Sequence, residues 1–261
     1  MEQKVYNLLI LDESGSMEMI KNAAVSGLNE TFQTIVVAQK EHPEQKHYVT
    51  LVTFNSERIN RVMDRLPVDS VAELKWNDYT PNSCTPLLDA MGLSLTELRE
   101  RVTNQDVVLV TIITDGMENS SKEYNGATIK RLVAELKEQG WMFAYIGTNQ
   151  DVDAVADGLG IHSKMHYEYS MKGASEMFEE ERRNRKIFYN RLCCDNKDVL
   201  NEDYFSLANE EEKEQECKSD DVKIEKSNEP APAVQKVVTT EVIPTKAHHG
   251  ILQTIKYFWR K

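Results

Sequence analysis

Two short runs of oxygen-bearing side chains are the residues best suited to chemistry in this sequence. Asp12, Ser14 and Ser16 directly follow one apolar run, and Asp115 directly follows another, longer one. Carboxylates and hydroxyls are the ligands that hard cations such as Mg²⁺ prefer in proteins. The pattern therefore indicates a candidate site for Mg²⁺ or Mn²⁺.

The first of these runs also has a second interpretation. Ser and Asp residues that precede a helix commonly cap its N-terminus. Ser14 and Ser16 can turn both hydroxyls to one side, and Gly15 between them permits unusual backbone angles. The loop alone fits a helix cap and a metal site about equally well. A second carboxylate on a neighbouring strand would favour the metal.

The elements that must position these residues alternate between strand and helix patterns. Apolar and β-branched runs predict strands over 5–11, 48–54, 107–114 and 141–146, and a last short strand near 166–169. Helical spacing of apolar residues predicts the helices between them, and Thr85 before Pro86 is expected to cap one of these helices. Alternation over 58–63 predicts an antiparallel strand at the sheet edge. We expect an α/β fold: a doubly wound, mostly parallel sheet with one antiparallel edge strand and helices on both faces.

This topology brings the two aspartates together. Ligands of doubly wound sheets bind beyond the carboxyl ends of the strands, where the strand order reverses. Strands 5–11 and 107–114 are the predicted neighbours at that point, and the helix near Thr85 begins on the same rim. The predicted metal site has five oxygen donors: Asp12, Ser14, Ser16, Thr85 and Asp115. Because only two carry charge, the ion stays electrophilic and accepts an Asp or Glu from a partner protein.

The three segments resemble the metal-ion-dependent adhesion site of the von Willebrand factor A (VWA) domain. The resemblance covers about residues 4–169 and rests on Asp12-x-Ser14-x-Ser16, on Thr85 and on Thr114-Asp115-Gly116. The patterns at 83–90 and 147–151 are similar to those of cytoplasmic bacterial and phage members.

The resemblance implies a Rossmann-like fold and a non-enzymatic module for protein–protein interaction. It also implies that Ser14, Ser16 and Thr85 coordinate Mg²⁺ or Mn²⁺ directly, while both aspartates act largely through water. Cys84 stands where family members often have glycine, a departure that we expect to bear on metal affinity.

Two alternative functions are a metal-dependent hydrolase or phosphatase and a metal-free scaffold. A phosphatase of the haloacid-dehalogenase type needs a second Asp where Ser14 stands, and no phosphate-binding Gly-x-x-x-x-Gly-Lys-Ser/Thr loop is present. A hydrolytic serine needs a histidine base, for which His162 and His166 are the only candidates near the rim. An enzyme is therefore the weaker interpretation.

Composition narrows the class of partner and the compartment. The 261 residues carry a formal net charge of −12, which argues against binding of nucleic acid or of an anionic membrane. The sequence shows no signal-peptide pattern and no apolar run long enough to cross a bilayer. The cysteines lack zinc-ligand spacing and are expected to be reduced thiols of a cytoplasmic protein. They are Cys84, Cys193, Cys194 and Cys217.

The chain is predicted to have four parts. Residues 1–171 form the VWA-type domain, and 172–207 form a charged helical extension in which Glu181 and Arg185 belong to a solvated face. Residues 208–247 form a disordered linker that is acidic and contains prolines. Residues 248–261 form an amphipathic aromatic and basic segment. That segment either binds a second partner or a membrane surface, or folds back onto the domain.

Overall fold

The computed structural model describes residues 2–148, 152–192 and 197–209 of the chain. Within these ranges, one sheet contains six strands and is flanked by five α-helices. The strands are β1 (Gln3–Asp12), β2 (Gln45–Asn55), β3 (Arg58–Pro67), β4 (Val107–Ile113), β5 (Trp141–Thr148) and β6 (Lys164–Tyr167). The helices are α1 (Lys21–Glu41), α2 (Leu87–Arg99), α3 (Gly126–Glu138), α4 (Val152–Gly158) and α5 (Met171–Leu192).

The strand order is β3-β2-β1-β4-β5-β6. Strand β1 pairs in parallel with both β2 and β4, and β3 pairs antiparallel with β2 at one edge. The chain therefore winds outward in one direction through β2 and in the other through β4, β5 and β6. The predicted fold class and the predicted switch point between β1 and β4 are both confirmed.

Each face of the sheet has its own hydrophobic core because the central strands are buried on both sides. On β1, Val5, Leu9 and Leu11 pack on the side of α1 and α5, while Leu8 and Ile10 pack on the side of α2 and α3. This explains why the strand reads as a continuous apolar run rather than as an alternating one.

Helix α5 packs closely against α1. A Cβ atom placed on Gly27 of α1 would lie 2.1 Å from the ring of Phe178 of α5, so only glycine fits at this crossing. The expectation that Glu181 and Arg185 share a solvated face is wrong, since their side chains are 1% and 0% exposed. The helical spacing of the pair is as predicted, but this face of α5 is turned toward the sheet.

The start of α2 also differs from its prediction. Thr85 does not cap the helix, which begins at Leu87 with Pro86 in the capping position and no side-chain cap hydrogen bond. The Thr85 hydroxyl is therefore not used for a helix cap. The predicted short last strand is present as β6, displaced toward the N-terminus by two residues.

Residues 210–261 lie outside the described residues, and with them nearly all of the predicted linker and the predicted C-terminal segment. Among 2–148, 152–192 and 197–209, no helix has both the length and the apolar character needed to cross a membrane. The cytoplasmic location stays a prediction.

Candidate metal centre

Asp12 is the last residue of β1 and is fully buried at the carboxyl edge of the sheet. The Ser14 amide donates to its Oδ1 at 2.7 Å, and the Thr114 hydroxyl donates to its Oδ2 at 2.6 Å. The Tyr79 hydroxyl donates to its backbone carbonyl. Both oxygens and the main chain of Asp12 are thus fixed before any ligand binds.

Asp115 comes two residues after the end of β4 and lies close to the same loop. The Ser16 hydroxyl donates to its Oδ1 at 2.7 Å, and the Ser16 and Ser14 hydroxyl oxygens are 3.2 Å apart. The Thr148 hydroxyl, at the end of β5, donates a 2.8 Å hydrogen bond to the Asp115 backbone carbonyl. The Oδ2 atom of Asp115 is buried and has no hydrogen-bond partner.

Thr85 is 3% exposed and reaches the centre from the loop before α2. A Cβ atom placed on Gly116 would lie 3.0 Å from its Oγ1 and 3.7 Å from Asp12 Oδ2. The Thr85 hydroxyl, the Asp12 carboxylate and the turn after Asp115 therefore converge. The structure brings all five predicted residues together from three loops, as the topology argument required.

The two carboxyl groups lie in an environment that disfavours their charge. Burial raises the pKa of Asp12 to about 6, with a smaller contribution from Asp115, against hydrogen bonds from Thr114 and Ser14 that lower it. Burial likewise raises the pKa of Asp115, and the Ser16 hydroxyl opposes that shift. Neither pKa is lowered by a basic side chain, so a bound cation would supply the missing compensation.

The donor set fits a hard divalent cation. The convergent groups are carboxylate and hydroxyl oxygens, and one of them, the buried Oδ2 of Asp115, lacks a partner. Across the described residues no group of three or more His, Cys, Asp or Glu side chains could hold a metal, so a site here depends on the hydroxyls. Structural zinc sites, which use Cys and His, have a different chemistry.

The helix-cap interpretation of the loop is not supported by the structure. Ser14 occupies the capping position of a 3₁₀ helix, Gly15–Ile20, but its side chain makes no cap hydrogen bond. Helix α1 starts later, with Ile20 in the capping position and again no side-chain bond. The hydroxyls of Ser14 and Ser16 face each other and Asp115 instead.

Glu13 and Met17, the residues beside Ser14 and Ser16 in the loop, are both fully buried. Glu13 Oε1 accepts from Arg58 Nη2 at 2.9 Å and from the Thr80 amide at 2.7 Å. Glu13 therefore ties the loop to β3 and to the segment before Thr85. Sequence reasoning missed this role because the partners lie 45 and 67 residues away.

Glu118 and Asn119 anchor the loop that follows Asp115. The Thr85 amide donates to Asn119 Oδ1 at 2.9 Å, and the Asn119 amide donates to the Thr85 carbonyl at 3.1 Å. Glu118 accepts from the Leu88 amide at the start of α2. Their polarity therefore serves to fix Thr85 beside Asp115.

Cys84 is an exposed free thiol next to Thr85. Its main chain pairs with Ser56, whose hydroxyl accepts from the Cys84 amide at 3.2 Å and whose amide donates to the Cys84 carbonyl at 2.9 Å. The preceding residue, Ser83, has φ 61° and lies in the left-handed region. The loop thus accommodates a cysteine here, and its effect on metal affinity stays a prediction.

The fold and the site together define a doubly wound α/β domain with an oxygen-lined centre at its switch point. The structure is similar to the pilus adhesin SpaC from Lactobacillus rhamnosus GG, with a TM-score of 0.55 and 13% identity over 72% of this chain and 30% of SpaC. It is also similar to the PilB minor pilin from Streptococcus sanguinis, with a TM-score of 0.50 and 10% identity over 71% of this chain and 62% of PilB.

A von Willebrand factor type A protein from Catenulispora acidiphila matches with a TM-score of 0.48 and 13% identity over 70% of this chain and 43% of that protein. The chain spans 30% to 62% of the length of these three structures, and identities this low show a similar fold alone. Comparison with protein-family models and with curated proteins finds no match.

Proposed function

We propose that this chain is a metal-dependent protein-interaction module of the VWA type. In this proposal Asp12, Ser14, Ser16, Thr85 and Asp115 hold Mg²⁺ or Mn²⁺, and the ion docks an acidic group of a partner protein. The observation that carries the proposal is the buried, unpartnered Oδ2 of Asp115 beside the paired hydroxyls of Ser14 and Ser16.

The charge of the site favours a bound ion that keeps one coordination position open for a partner over an ion that is fully coordinated by this protein. Two carboxylates balance a divalent ion, while hydroxyls donate weakly, so a bound ion offers an electrophilic position to an outside carboxylate. Thr114 and the Ser14 amide hold Asp12 in place, and Thr148 holds the Asp115 main chain. The protein groups are therefore preorganised before a partner arrives.

A metal-dependent hydrolase or phosphatase is the less favoured function. The Ser14 and Ser16 hydroxyls bond each other and Asp115 rather than a histidine base. The Nε2 atom of His166 lies 3.4 Å from an Asp153 carboxylate oxygen at the surface. The described fold is also similar to part of SpaC, a pilus adhesin, which accords with a binding role.

A metal-free scaffold is the other alternative, and calorimetry combined with thermal unfolding separates it from the proposal. Wild-type protein should release or absorb heat on titration with Mg²⁺ or Mn²⁺, and its unfolding temperature should rise. Metal at 100 times its dissociation constant stabilises a folded protein by about 2.7 kcal/mol, and chelator should reverse the gain. Absence of both signals at millimolar Mg²⁺ and Mn²⁺ would refute the metal site.

Matched variants assign the signal to this centre. Asp12→Ala and Asp115→Ala should each abolish the heat and the thermal shift. Glu18→Gln removes an exposed carboxylate from the same loop region and should leave both signals intact. Loss of metal binding in Glu18→Gln alone would place the ion elsewhere.

A further inference from the structure

Five large apolar side chains are the most exposed of their kind among the described residues, and four of them come from segments next to the candidate metal centre. Met19 is 51% exposed, Trp76 53%, Met117 66% and Met171 42%, whereas the fifth, Val37, lies in the second half of α1. We call Met19, Trp76, Met117 and Met171 the apolar collar.

Two collar residues are fixed near the centre by the chain itself. Met19 follows Ser16 by three residues in the 3₁₀ helix, and Met117 follows Asp115 by two residues. The residues of that 3₁₀ helix that do face the core are Met17 and Ile20, and both are fully buried. Met19 and Met117 are therefore not needed to complete the core, and their exposure needs another explanation.

The other two collar residues are connected to the centre by hydrogen bonds. The Trp76 Nε1–H donates to Asn22 Oδ1 at 2.7 Å, in the first turn of α1 and three residues after Met19. Met171 begins α5 two residues after Tyr169, whose hydroxyl donates to the Ser16 carbonyl. All four segments thus belong to the carboxyl edge of the sheet.

The collar combines one ordered aromatic ring with three adaptable side chains. Lys21 Nζ lies 3.5 Å from the centroid of the Trp76 ring, which together with the Asn22 bond fixes the indole. Methionine is flexible and polarizable and recurs at surfaces that bind apolar partners. Aromatic residues and methionine are enriched in the buried centres of protein interfaces.

We propose that the apolar collar selects the residues that flank the partner's acidic group. The occupant is a segment of a partner protein in which one Asp or Glu is flanked on both sides by large aliphatic or aromatic side chains. The acidic residue binds the metal, and its neighbours contact Met19, Met117, Trp76 and Met171. This inference rests on the proposed function, because the metal sets the position of the acidic residue.

Charge favours apolar flanks over further acidic ones. The chain carries a formal net charge of −12, and Glu18 next to Met19 is exposed. A polyacidic segment would be repelled once one carboxylate had bound the metal. An apolar segment gains free energy instead, since it removes the exposed methionine and tryptophan surface from water.

The test is binding of the full chain to two pools of short synthetic peptides with a fixed central Asp or Glu. One pool has Leu, Ile, Phe and Met at the flanking positions, and the other has Ser, Gly, Thr and Asn. Fluorescence polarization in Mg²⁺ should show at least about tenfold tighter binding of the apolar-flanked pool. Chelator, or a central Asn or Gln, should abolish binding of both pools.

Variants separate the collar from the metal. Met19→Gln/Met117→Gln keeps side-chain length at two exposed positions and should remove most of the preference while Mg²⁺ binding measured by calorimetry is unchanged. Val37→Thr, at the exposed apolar residue outside the collar, should keep the full preference. Asp12→Ala should lose binding of both pools.

The outcomes distinguish failure of this inference from failure of the proposed function. Metal-dependent binding of both pools with equal affinity, or a preference that survives in Met19→Gln/Met117→Gln, would overturn the collar and leave metal docking standing. Absence of metal-dependent binding to either pool would overturn the collar together with the docking function.

Discussion

The Thr114 hydroxyl donates a 2.6 Å hydrogen bond to Oδ2 of Asp12 and so joins the carboxyl ends of β4 and β1. The Thr114 Oγ1 atom also accepts a hydrogen bond from the Gly116 amide at 3.1 Å. One buried side chain therefore orients the carboxylate of the first loop and shapes the turn of the second. The two strands that meet at the switch point are locked together at the candidate metal centre.

Thr114→Val should weaken metal binding without changing the fold. Valine keeps the shape of threonine but cannot donate to Asp12, so the carboxylate is free to rotate. A lost bond to a charged group is worth about 1.5–3 kcal/mol, which corresponds to a dissociation constant for Mg²⁺ that is roughly 10- to 150-fold larger. Isothermal titration calorimetry measures this directly.

Thr53→Val is the matched control for that substitution. Thr53 lies on β2, is fully buried, and its hydroxyl has no hydrogen-bond partner. Its replacement should leave metal affinity unchanged and should keep or raise the free energy of unfolding. Equal metal affinities for Thr114→Val and wild type would contradict the positioning role of Thr114.

Gly116→Ala should lower metal affinity by filling space at the centre. The added Cβ would lie 3.0 Å from Thr85 Oγ1, so the hydroxyl must shift by a few tenths of an ångström. We expect calorimetry to give a dissociation constant for Mn²⁺ at least about tenfold larger than that of wild type, with little change in unfolding temperature.

Gly126→Ala provides the comparison, because a Cβ on Gly126 at the start of α3 would meet no atom within 4 Å. This variant should bind metal as wild type does and should be equally stable or more stable. A metal affinity in Gly116→Ala equal to that of Gly126→Ala would show that Thr85 does not belong to the site.

Arg185→Met should destabilise the fold strongly. The Arg185 side chain is fully buried, with Nη2 2.6 Å from Glu181 Oε1 and Nη1 3.0 Å from Asn7 Oδ1 on β1. Its removal leaves the Glu181 carboxylate buried without its cation, at a cost of about 3–5 kcal/mol in the free energy of unfolding. Urea denaturation followed by circular dichroism gives this value.

Two further variants make the interpretation specific. Arg185→Met/Glu181→Met removes both charges and should regain most of the lost free energy, since no buried charge remains. Lys172→Met breaks an exposed pair with Glu176 on the same helix and should change stability by less than about 1 kcal/mol. A double variant no more stable than Arg185→Met would contradict the uncompensated-charge explanation.

One contribution to the stability of the protein should be lost on acidification because of His47. Burial lowers the pKa of His47 from its ordinary 6.5 to about 3, and Arg185 and His42 add to the shift. Gln45 and the ring edge of Tyr189 are its other neighbours. Between these two pH values the unfolded chain takes up a proton that the folded protein does not. The contribution of His47 to the free energy of unfolding therefore falls by about 1.4 kcal/mol per pH unit as pH drops through this window, while the raised pKa of Asp12 makes a contribution of opposite sign that is the same in wild type and in a His47 variant.

His47→Gln should remove that contribution, which urea unfolding at a series of pH values from near neutral to mildly acidic would show. His162→Gln, at an exposed histidine, should retain the wild-type pH dependence. Identical pH slopes in wild type and His47→Gln would show that another group controls acid sensitivity.

Local sequence patterns predicted the elements of this protein well. The apolar runs of β1 and β4 predicted strands, and the alternation in β3 indicated an edge strand. Once the strands were ordered, the switch-point rule alone brought Asp12 and Asp115 to one rim, because the carboxyl ends of parallel strands lie at one edge.

Long-range contacts decided what the patterns left open. Ser14 makes no side-chain cap hydrogen bond. Its hydroxyl faces that of Ser16, which donates to Asp115, a residue 99 positions further along the chain. The solvated face expected for Glu181 and Arg185 became a buried ion pair because α5 packs against α1 and reaches Asn7 and Thr111 beneath it. Helical spacing is the same for a buried and an exposed pair, so burial could not be read from it.

The sequence by itself thus indicated the candidate donor atoms and determined the strands that carry them, since both depend on residue type and on periodicity along the chain. Only the tertiary structure decided which oxygens are fixed, which one is left without a partner, and which apolar side chains of the neighbouring segments stay exposed. Those properties depend on atoms that are distant in sequence and become neighbours only when the sheet and its helices assemble.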